Sequence, residues 1–206
     1  MANPRGSYGP GRSIDAEIEK PAVIILDMAK GYGWQPGSYG YEPMVPNMRR
    51  LIDAAHAANV QVIHVTSLRR PTDNLPAPSE ATLRNMAGLE GPEVIPELRP
   101  VDGDIQLYKR YLSGFFSSDL DYTLRTMGCD CVIIAGASTD NTVLWTAAEA
   151  FQLRYKVVVV EDCTIVHGQA RAEAGGKEAA LSIIKSVLQS EVIPLAQVEA
   201  RYLQPQ

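Results

Sequence analysis

Two charged side chains follow apolar runs in this sequence, and a polar turn follows a third such run. Asp27 ends AVIILD, Lys109 ends DIQLYK, and the segment STDNT comes after VIIAGA. An Asp and a Lys beside a nucleophile form a general-base arrangement, in which the carboxylate accepts the proton and the ammonium stabilises negative charge. Taken singly, an Asp after a strand caps a turn or binds a metal at least as often as it takes part in catalysis. A Lys at such a position is ordinarily solvated. Their combination with the turn favours an active site.

The segment from Val132 to Phe151 predicts a strand, a tight turn and a helix. Val132 to Ala135 form a buried apolar run, Gly136 opens the turn, and apolar residues then recur at helical spacing from Val143 onward. The first N–H groups of such a helix have no partner within it, and they face the crevice at the carboxyl end of the sheet. They can stabilise an oxyanion, although the same geometry also binds phosphate in unrelated proteins.

Strand and helix patterns alternate along the whole chain. Apolar runs predict strands at 22–27, 60–66, 105–108, 132–135 and 156–161, with EVIPL as an edge strand. Helical spacing predicts helices at 43–59, from Ser117 or Ser118 to Met127, from 143 to 151 and at 177–189. This alternation predicts an α/β fold, a three-layer, doubly wound domain over residues 1–206 with a mostly parallel sheet of about six strands. Residues 1–20 are expected to form a flexible or surface arm. The first turn lacks G-x-G-x-x-G, which disfavours a dinucleotide-binding domain.

Composition narrows the location and the partners. A net charge of −5 and a sequence pI of about 5.2 disfavour nucleic acid or an anionic membrane as the main partner. No apolar run approaches the roughly 20 residues that span a bilayer, and the polar N-terminus has no hydrophobic signal core, so a cytoplasmic location is expected. Cys129, Cys131 and Cys163 form no CxxC pair, and we interpret them as small buried side chains rather than zinc ligands or disulfides.

Three ordered blocks between Pro21 and Asp162 resemble the isochorismatase-like cysteine hydrolases. AVIILDMAKGYG is similar to the family's first strand, with its catalytic Asp at Asp27 and its aromatic residue at Tyr32. YKRYLSGFFSSDLDYTLR is similar to the family's Lys block, here Lys109, and GASTDNTVLWTAAEAF resembles its turn, G-x-[AS]-T-x-x-C-V-x-x-T-A. The resemblance implies an isochorismatase-like fold, a homodimer or homotetramer, and hydrolysis of a C–N bond without a cofactor. The substrate would be a small amide or N-carbamoyl compound, as in the branch that acts on N-carbamoylsarcosine.

The sequence departs from the family at the position of the nucleophile. The family's Cys falls on Thr142, and none of the three cysteines can take its place. In the family the Asp deprotonates this Cys, which then attacks the amide or carbamoyl carbon. The resemblance also implies an oxyanion hole formed by the backbone N–H groups of Ser138 and Thr142, with a cis peptide bond between Ala137 and Ser138.

Several explanations of Thr142 are open. A Cys could have been replaced, by engineering or in a natural relative, which would slow catalysis because a hydroxyl ionises far less readily than a thiol. Thr142 could itself be the nucleophile or orient a water. The chain could instead resemble the isochorismatase branch, which lacks the Cys and hydrolyses an enol ether with the Asp, here Asp27, as general acid. A catalytically silent relative that binds a small ligand is the alternative from a different class of function.

The same blocks supply candidates for substrate binding. Small polar substrates need apolar walls with a few polar anchors, and the candidate walls are Tyr32, Trp34, Tyr108 and Phe116. Arg69, Arg70 or Arg110 could bind a substrate carboxylate, and Arg70 is taken as the candidate. The segment after the second strand, TSLRRP, has no Asp-x-His motif, so no metal is expected. We interpret His64 as a packed strand residue and His167 as a surface residue.

Overall fold

The computed structural model of the chain describes residues 20–73 and 83–204. The predicted arm, residues 1–20, lies outside the described residues except for Lys20. Within the part that is described, no helix is long and apolar enough to cross a membrane.

Parallel strands form a six-stranded sheet at the centre of the fold. They are β1 (Pro21–Leu26), β2 (Gln61–Ser67), β3 (Ile105–Lys109), β4 (Cys131–Ala137), β5 (Lys156–Ile165) and β6 (Glu191–Ile193). Their order is β3-β2-β1-β4-β5-β6, and each pairing is parallel. The inner strands are rich in β-branched residues and almost continuously buried, as expected for strands covered on both faces. The chain runs outward from β1 to β3 and then returns to place β4 beside β1, so the strand order reverses between β1 and β4.

Helices cover both faces of this sheet. They are α1 (Tyr41–Ala57), α2 (Leu120–Thr126), α3 (Leu144–Gln152), α4 (Gln169–Glu173), α5 (Gly176–Ser186) and α6 (Leu195–Tyr202). Side chains alternate along β1, so that Val23 and Ile25 pack in one apolar cluster with α1 and α6. Ile24 and Leu26 pack in the other cluster with α2, α3 and α5. The predicted three-layer α/β fold with a parallel sheet is confirmed.

Three elements differ from the prediction: β5 is longer, and neither α4 nor α6 is predicted from the sequence. β5 continues past the predicted end at Glu161 to Ile165, because a register shift opposite Gly136 lets its last residues pair with β4 again. The sequence analysis does not predict α6, whose buried residues, Leu195 and Val198, are too few to produce a clear helical pattern.

The cysteines and His64 lie where the sequence predicts. Cys129, Cys131 and Cys163 are buried and free. His64 points into the protein from the middle of β2 and is 1% exposed. These side chains pack within the fold, away from the crevice at the strand ends.

Candidate active site

The side chains that follow β1 to β4 meet where the strand order reverses. Asp27 follows β1, Ser67 ends β2, Lys109 ends β3, and Thr142 lies in the turn after β4. All four are buried. Because the carboxyl ends of parallel strands lie at one edge of the sheet, the fold joins Asp27 to a residue 115 positions away.

Both oxygens of the Asp27 carboxylate have hydrogen-bond partners. Oδ1 accepts from the Ser67 backbone N–H at 2.9 Å and from the Ser67 hydroxyl at 3.0 Å. Oδ2 accepts from Thr142 Oγ1 at 2.9 Å and lies 2.8 Å from Lys109 Nζ. The carboxylate is therefore fixed with one oxygen at hydrogen-bond distance from the Thr142 hydroxyl, close enough to accept its proton.

Lys109 is held by three acceptors. Its Nζ donates to Ser67 Oγ at 3.0 Å and to the Tyr111 carbonyl at 2.8 Å, in addition to its ion pair with Asp27. Burial lowers the pKa of Lys109 below its usual value, and the charge of Asp27 opposes that shift. An ammonium with three acceptors has no donor left over, so it serves the carboxylate as a fixed positive charge.

The turn after β4 depends on Gly136. This residue has a φ of +129°, and a Cβ there would lie 2.2 Å from the backbone oxygen of Leu26 in β1. The peptide bond between Ala137 and Ser138 is cis. A single π-helical turn follows and leads into α3, a feature that is frequent at functional sites. Together these features place Thr142 at the crevice.

Polar contacts tie this turn to the segment after β5. The Ser138 hydroxyl donates to Asp140 Oδ1 at 2.6 Å and accepts from the His167 backbone N–H at 2.9 Å. Arg171 pairs with Asp140 Oδ2 at 2.6 Å. The turn that carries Thr142 is thus braced by the backbone N–H of His167 and the side chain of Arg171.

Aromatic side chains form one wall of the crevice. The Tyr32 hydroxyl donates to Ser67 Oγ at 3.1 Å, and the indole N–H of Trp34 donates to the Asp27 carbonyl at 3.3 Å. His167 Nε2 donates to the Tyr32 carbonyl at 3.0 Å, and its ring meets that of Trp34 edge-on at 5.2 Å between centroids. Burial raises the pKa of Tyr32, so its phenol stays protonated and can donate.

These groups line a cavity of about 200 Å³. The remaining lining residues are Arg69, Tyr111, Leu112, Ala137, Asn141 and Arg171. A cavity with aromatic walls and a few convergent polar groups is typical of a site for a small molecule. Within residues 20–73 and 83–204, no three His, Cys, Asp or Glu side chains are grouped as metal ligands would be.

The cavity brings together most of the site residues named from the sequence. Asp27, Lys109, Thr142, Ser138, Tyr32 and Trp34 all line it. His167 also lines it, which corrects the interpretation of that residue as a surface histidine. Its ring is turned inward because the Tyr32 carbonyl accepts a hydrogen bond from it.

Tyr108, Phe116 and Arg70, which the sequence offers as candidates for substrate binding, do not line the cavity. Side chains alternate along β3, so the burial of Lys109 leaves Tyr108 on the opposite face, 46% exposed. Phe116 is 57% exposed and packs against the Tyr111 ring instead. Arg70 is exposed, and its backbone N–H donates to Asp73.

The other two arginines considered from the sequence lie differently from Arg70. Arg69 lines the cavity. Arg110 donates to the Leu68 carbonyl, which commits its guanidinium to the backbone outside the cavity.

Sequence reasoning missed Ser67 and Tyr111. Ser67 is the last residue of a strand that pairs with β1, so a polar residue at that strand end was the available signal. Tyr111 contributes its backbone carbonyl to Lys109, and a carbonyl contact leaves no trace in residue type.

Comparison with known proteins identifies the family of the chain. The sequence profile of the isochorismatase domain matches residues 21–191. A ureidoacrylate amidohydrolase, RutB, from Caulobacter segnis is 30% identical over 200 residues, which cover 80% of this chain and 83% of that protein. The isochorismatase family protein YwoC from Bacillus subtilis, which is uncharacterized, is 29% identical over 170 residues, covering 79% of this chain and 86% of that protein.

Solved structures show the same architecture. The crystal structure of N-carbamoylsarcosine amidase from Thermoplasma acidophilum superimposes with a TM-score of 0.70 at 27% identity, covering 86% of this chain and 97% of that one. An isochorismatase family protein from Desulfovibrio vulgaris superimposes with a TM-score of 0.76, also at 27% identity, over 88% of this chain and 97% of that one. Since the profile of the isochorismatase domain matches residues 21–191, which is most of the sequence, the chain belongs to the isochorismatase family of hydrolases.

Proposed function

We propose that this protein hydrolyses the C–N bond of a small amide or N-carbamoyl compound and releases ammonia or an amine. The observation that carries the proposal is the contact of the Thr142 hydroxyl with Asp27 at 2.9 Å, on a carboxylate that is paired with Lys109 at 2.8 Å. Relatives named as ureidoacrylate amidohydrolase and N-carbamoylsarcosine amidase support the same class of reaction.

In the proposed reaction, the oxygen of Thr142, or a water that it orients, attacks the carbonyl carbon while Asp27 accepts the proton. The backbone N–H groups of Ser138 and Thr142 donate to the developing oxyanion. Asp27 then returns the proton to the departing nitrogen. If the attack is by Thr142, a water hydrolyses the resulting ester with Asp27 again as base.

The hydroxyl at position 142 limits the rate. A thiol ionises near a pKa of about 8.5, far below a hydroxyl, and the thiolate is the stronger nucleophile. We therefore expect slow turnover by the chain as it stands and a large gain when Thr142 is replaced by Cys, since the carboxylate, the ammonium and the turn are already in position.

The experiment is ammonia release from a panel of small amides and N-carbamoyl amino acids by the wild-type chain and by Thr142→Cys. The Cys variant is expected to exceed the wild type by roughly 100-fold or more in kcat/KM. Asp27→Asn in the Cys background is the matched control, and it is expected to abolish the gain. Failure of both proteins to release ammonia from any member of the panel would contradict the proposal.

A further variant, Thr142→Val, assigns the role of the hydroxyl in the wild-type chain. Loss of activity in Thr142→Val shows that the hydroxyl takes part, as nucleophile or as a ligand of the attacking water. Retained activity shows that a water activated by Asp27 does the work alone.

Enol-ether hydrolysis is the second candidate, and the lack of a thiol at position 142 is the observation that favours it. In that reaction Asp27 would act as general acid. The relatives named as ureidoacrylate amidohydrolase and N-carbamoylsarcosine amidase act on C–N bonds, which is why amide hydrolysis ranks first. Formation of a carbonyl product from a small vinyl ether, without ammonia release from any amide, would reverse this order.

If the protein is instead a catalytically silent relative, both the chain as it stands and Thr142→Cys are expected to bind a ligand without turning it over. The homodimer or homotetramer implied by the family resemblance and the cytoplasmic location stay predictions.

A further inference from the structure

Arg69 differs from Lys109 and Arg171, the other cations that line the cavity, because no carboxylate among the described residues pairs with it. It follows β2 directly and lines the cavity together with Asp27 and Thr142. Its Nε and Nη1 atoms are buried and have no hydrogen-bond partner among the residues that the structure describes. Lys109, by contrast, is paired with Asp27, and Arg171 is paired with Asp140.

Among the residues that the structure describes, the charges that line the cavity therefore leave an excess of one positive charge. Asp27 and Lys109 neutralise each other, and Arg171 is neutralised by a carboxylate beside the cavity. Arg69 remains, partly buried and without an anion of the described chain at salt-bridge distance. A shielded guanidinium whose N–H groups lack acceptors is unfavourable, and an anion that enters the cavity would remove that cost.

The backbone of Arg69 is fixed independently of its side chain. Its N–H donates to the Asn85 carbonyl at 2.9 Å, and its carbonyl accepts from the Ala87 N–H at 2.7 Å. The guanidinium carbon lies 5.9 Å from the centre of the Tyr111 ring, a distance at which cation and ring attract each other. A planar guanidinium in the wall of the cavity can bind the two oxygens of a carboxylate side by side.

We propose that Arg69 binds a carboxylate on the substrate and so selects ureido or amido acids over neutral amides. The inference rests on the proposed hydrolysis of amides or N-carbamoyl compounds, and it adds the charge of the substrate and the residue that recognises it. The scissile C–N bond would lie at Asp27 and Thr142 while the carboxylate lies at Arg69. A neutral analogue leaves the guanidinium unpaired.

The test compares 3-ureidopropionate with n-butylurea, which has a similar length and no charge. Binding is measured by calorimetry on the wild-type chain, and kcat/KM is measured in the Thr142→Cys background. The charged ureide is expected to bind and react roughly 10- to 100-fold better than butylurea, the range given by one or two hydrogen bonds to a charged group. Arg69→Met is expected to remove this preference by weakening ureidopropionate alone, and Arg69→Lys to restore part of it.

Arg70→Met is the matched control. It removes the same side chain one position along the chain, outside the cavity, and it is expected to behave like the wild type. Equal affinity of ureidopropionate for the wild type and Arg69→Met overturns the inference, and so does a lack of binding to the wild type at millimolar concentration. If neither ureide releases ammonia but the binding of ureidopropionate still depends on Arg69, the proposed hydrolysis fails and the carboxylate site stands.

Discussion

The ion pair between Asp27 and Lys109 combines an electrostatic cost with a positioning role. Both side chains are almost fully buried, and removing two charges from water costs more than an ordinary apolar contact returns. Ser67 offsets part of this cost with two hydrogen bonds to the carboxylate and one from the ammonium. Removing either charged partner leaves the other buried and uncompensated.

Lys109→Met is expected to lower the free energy of unfolding by about 3 kcal/mol, because it leaves the Asp27 carboxylate buried without its counter-charge. The measurement is urea unfolding near neutral pH. The double variant Asp27→Asn with Lys109→Met serves as control, since it removes both charges, and it is expected to recover part of the loss. Equal stability of the single and double variants would argue that the ion pair is not the source of the effect.

At the residue scale, the sequence predicts those side chains whose position follows from a strand end. Asp27 and Lys109 each come directly after an apolar run, and parallel strands bring such positions together. Thr142 lies further along the turn after the third run, and its assignment comes from the resemblance of that turn to the family motif. The choice between Arg69 and Arg70 needs the orientation of the chain after β2. The hydrogen bond from the Lys109 ammonium to the Tyr111 carbonyl likewise depends on backbone geometry that residue types do not encode.

The turn between β4 and α3 shows how one element positions Thr142. β4 pairs with β1 so that Gly136 lies opposite Leu26. The backbones approach so closely there that only a residue without a side chain fits. The same position marks the register shift between β4 and β5. The path of the chain toward Thr142 is therefore set at Gly136.

Gly136→Ala is expected to destabilise the protein by about 3 kcal/mol or more and to abolish activity. The added Cβ combines backbone strain at a positive φ with a clash against Leu26. Thermal unfolding and ammonia release measure the two effects.

Gly128→Ala is the matched control for this prediction. Gly128 also has a positive φ, +70°, but a Cβ there meets nothing within 4 Å, so the expected cost is about 1 kcal/mol with activity retained. Similar losses in the two variants would show that strain alone, and not the close approach of β4 to β1, explains the need for glycine.

At the scale of the whole molecule, a buried histidine couples stability to pH. Burial lowers the pKa of His64 to about 4, and the nearby carboxylate of Asp104, 3.7 Å away, only partly opposes the shift. His56 and Arg49 also face this group and disfavour its protonation. In the unfolded chain the imidazole titrates near 6.5, so the unfolded state binds the proton first as the pH falls.

The contribution of His64 to the free energy of unfolding is therefore expected to be constant above pH 6.5. The free energy of unfolding is expected to fall by up to about 3 kcal/mol as the pH drops to about 4. His64→Leu is expected to flatten this part of the profile, as measured by urea unfolding at a series of pH values. His56→Gln retains the buried group and is expected to keep most of the slope, although it removes one of the two groups that disfavour protonation of His64. An unchanged slope in His64→Leu would assign the acid sensitivity to other residues.

The overall architecture follows from sequence more readily than the limits of its elements. Alternation of apolar runs with helical spacing predicts the parallel sheet and its two helical layers, because each strand must be covered on both faces. The extension of β5 to Ile165 depends on the register shift at Gly136, which is a property of two strands together. A short helix such as α6 depends on contacts with β5 and α1 that local spacing does not record.

The strand order also bears on the synthesis of the protein. During synthesis β1, β2 and β3 emerge first, and β2 and β3 can pair on one side of β1. The other side of β1 stays unpaired until β4, residues 131–137, has been made. Until that strand emerges, β1 presents an open edge of apolar residues, and such edges promote association between chains. A nascent or truncated chain that ends before β4 would therefore hold Asp27 and Lys109 but be prone to aggregate. The strand that completes the catalytic crevice is also the one that closes this edge.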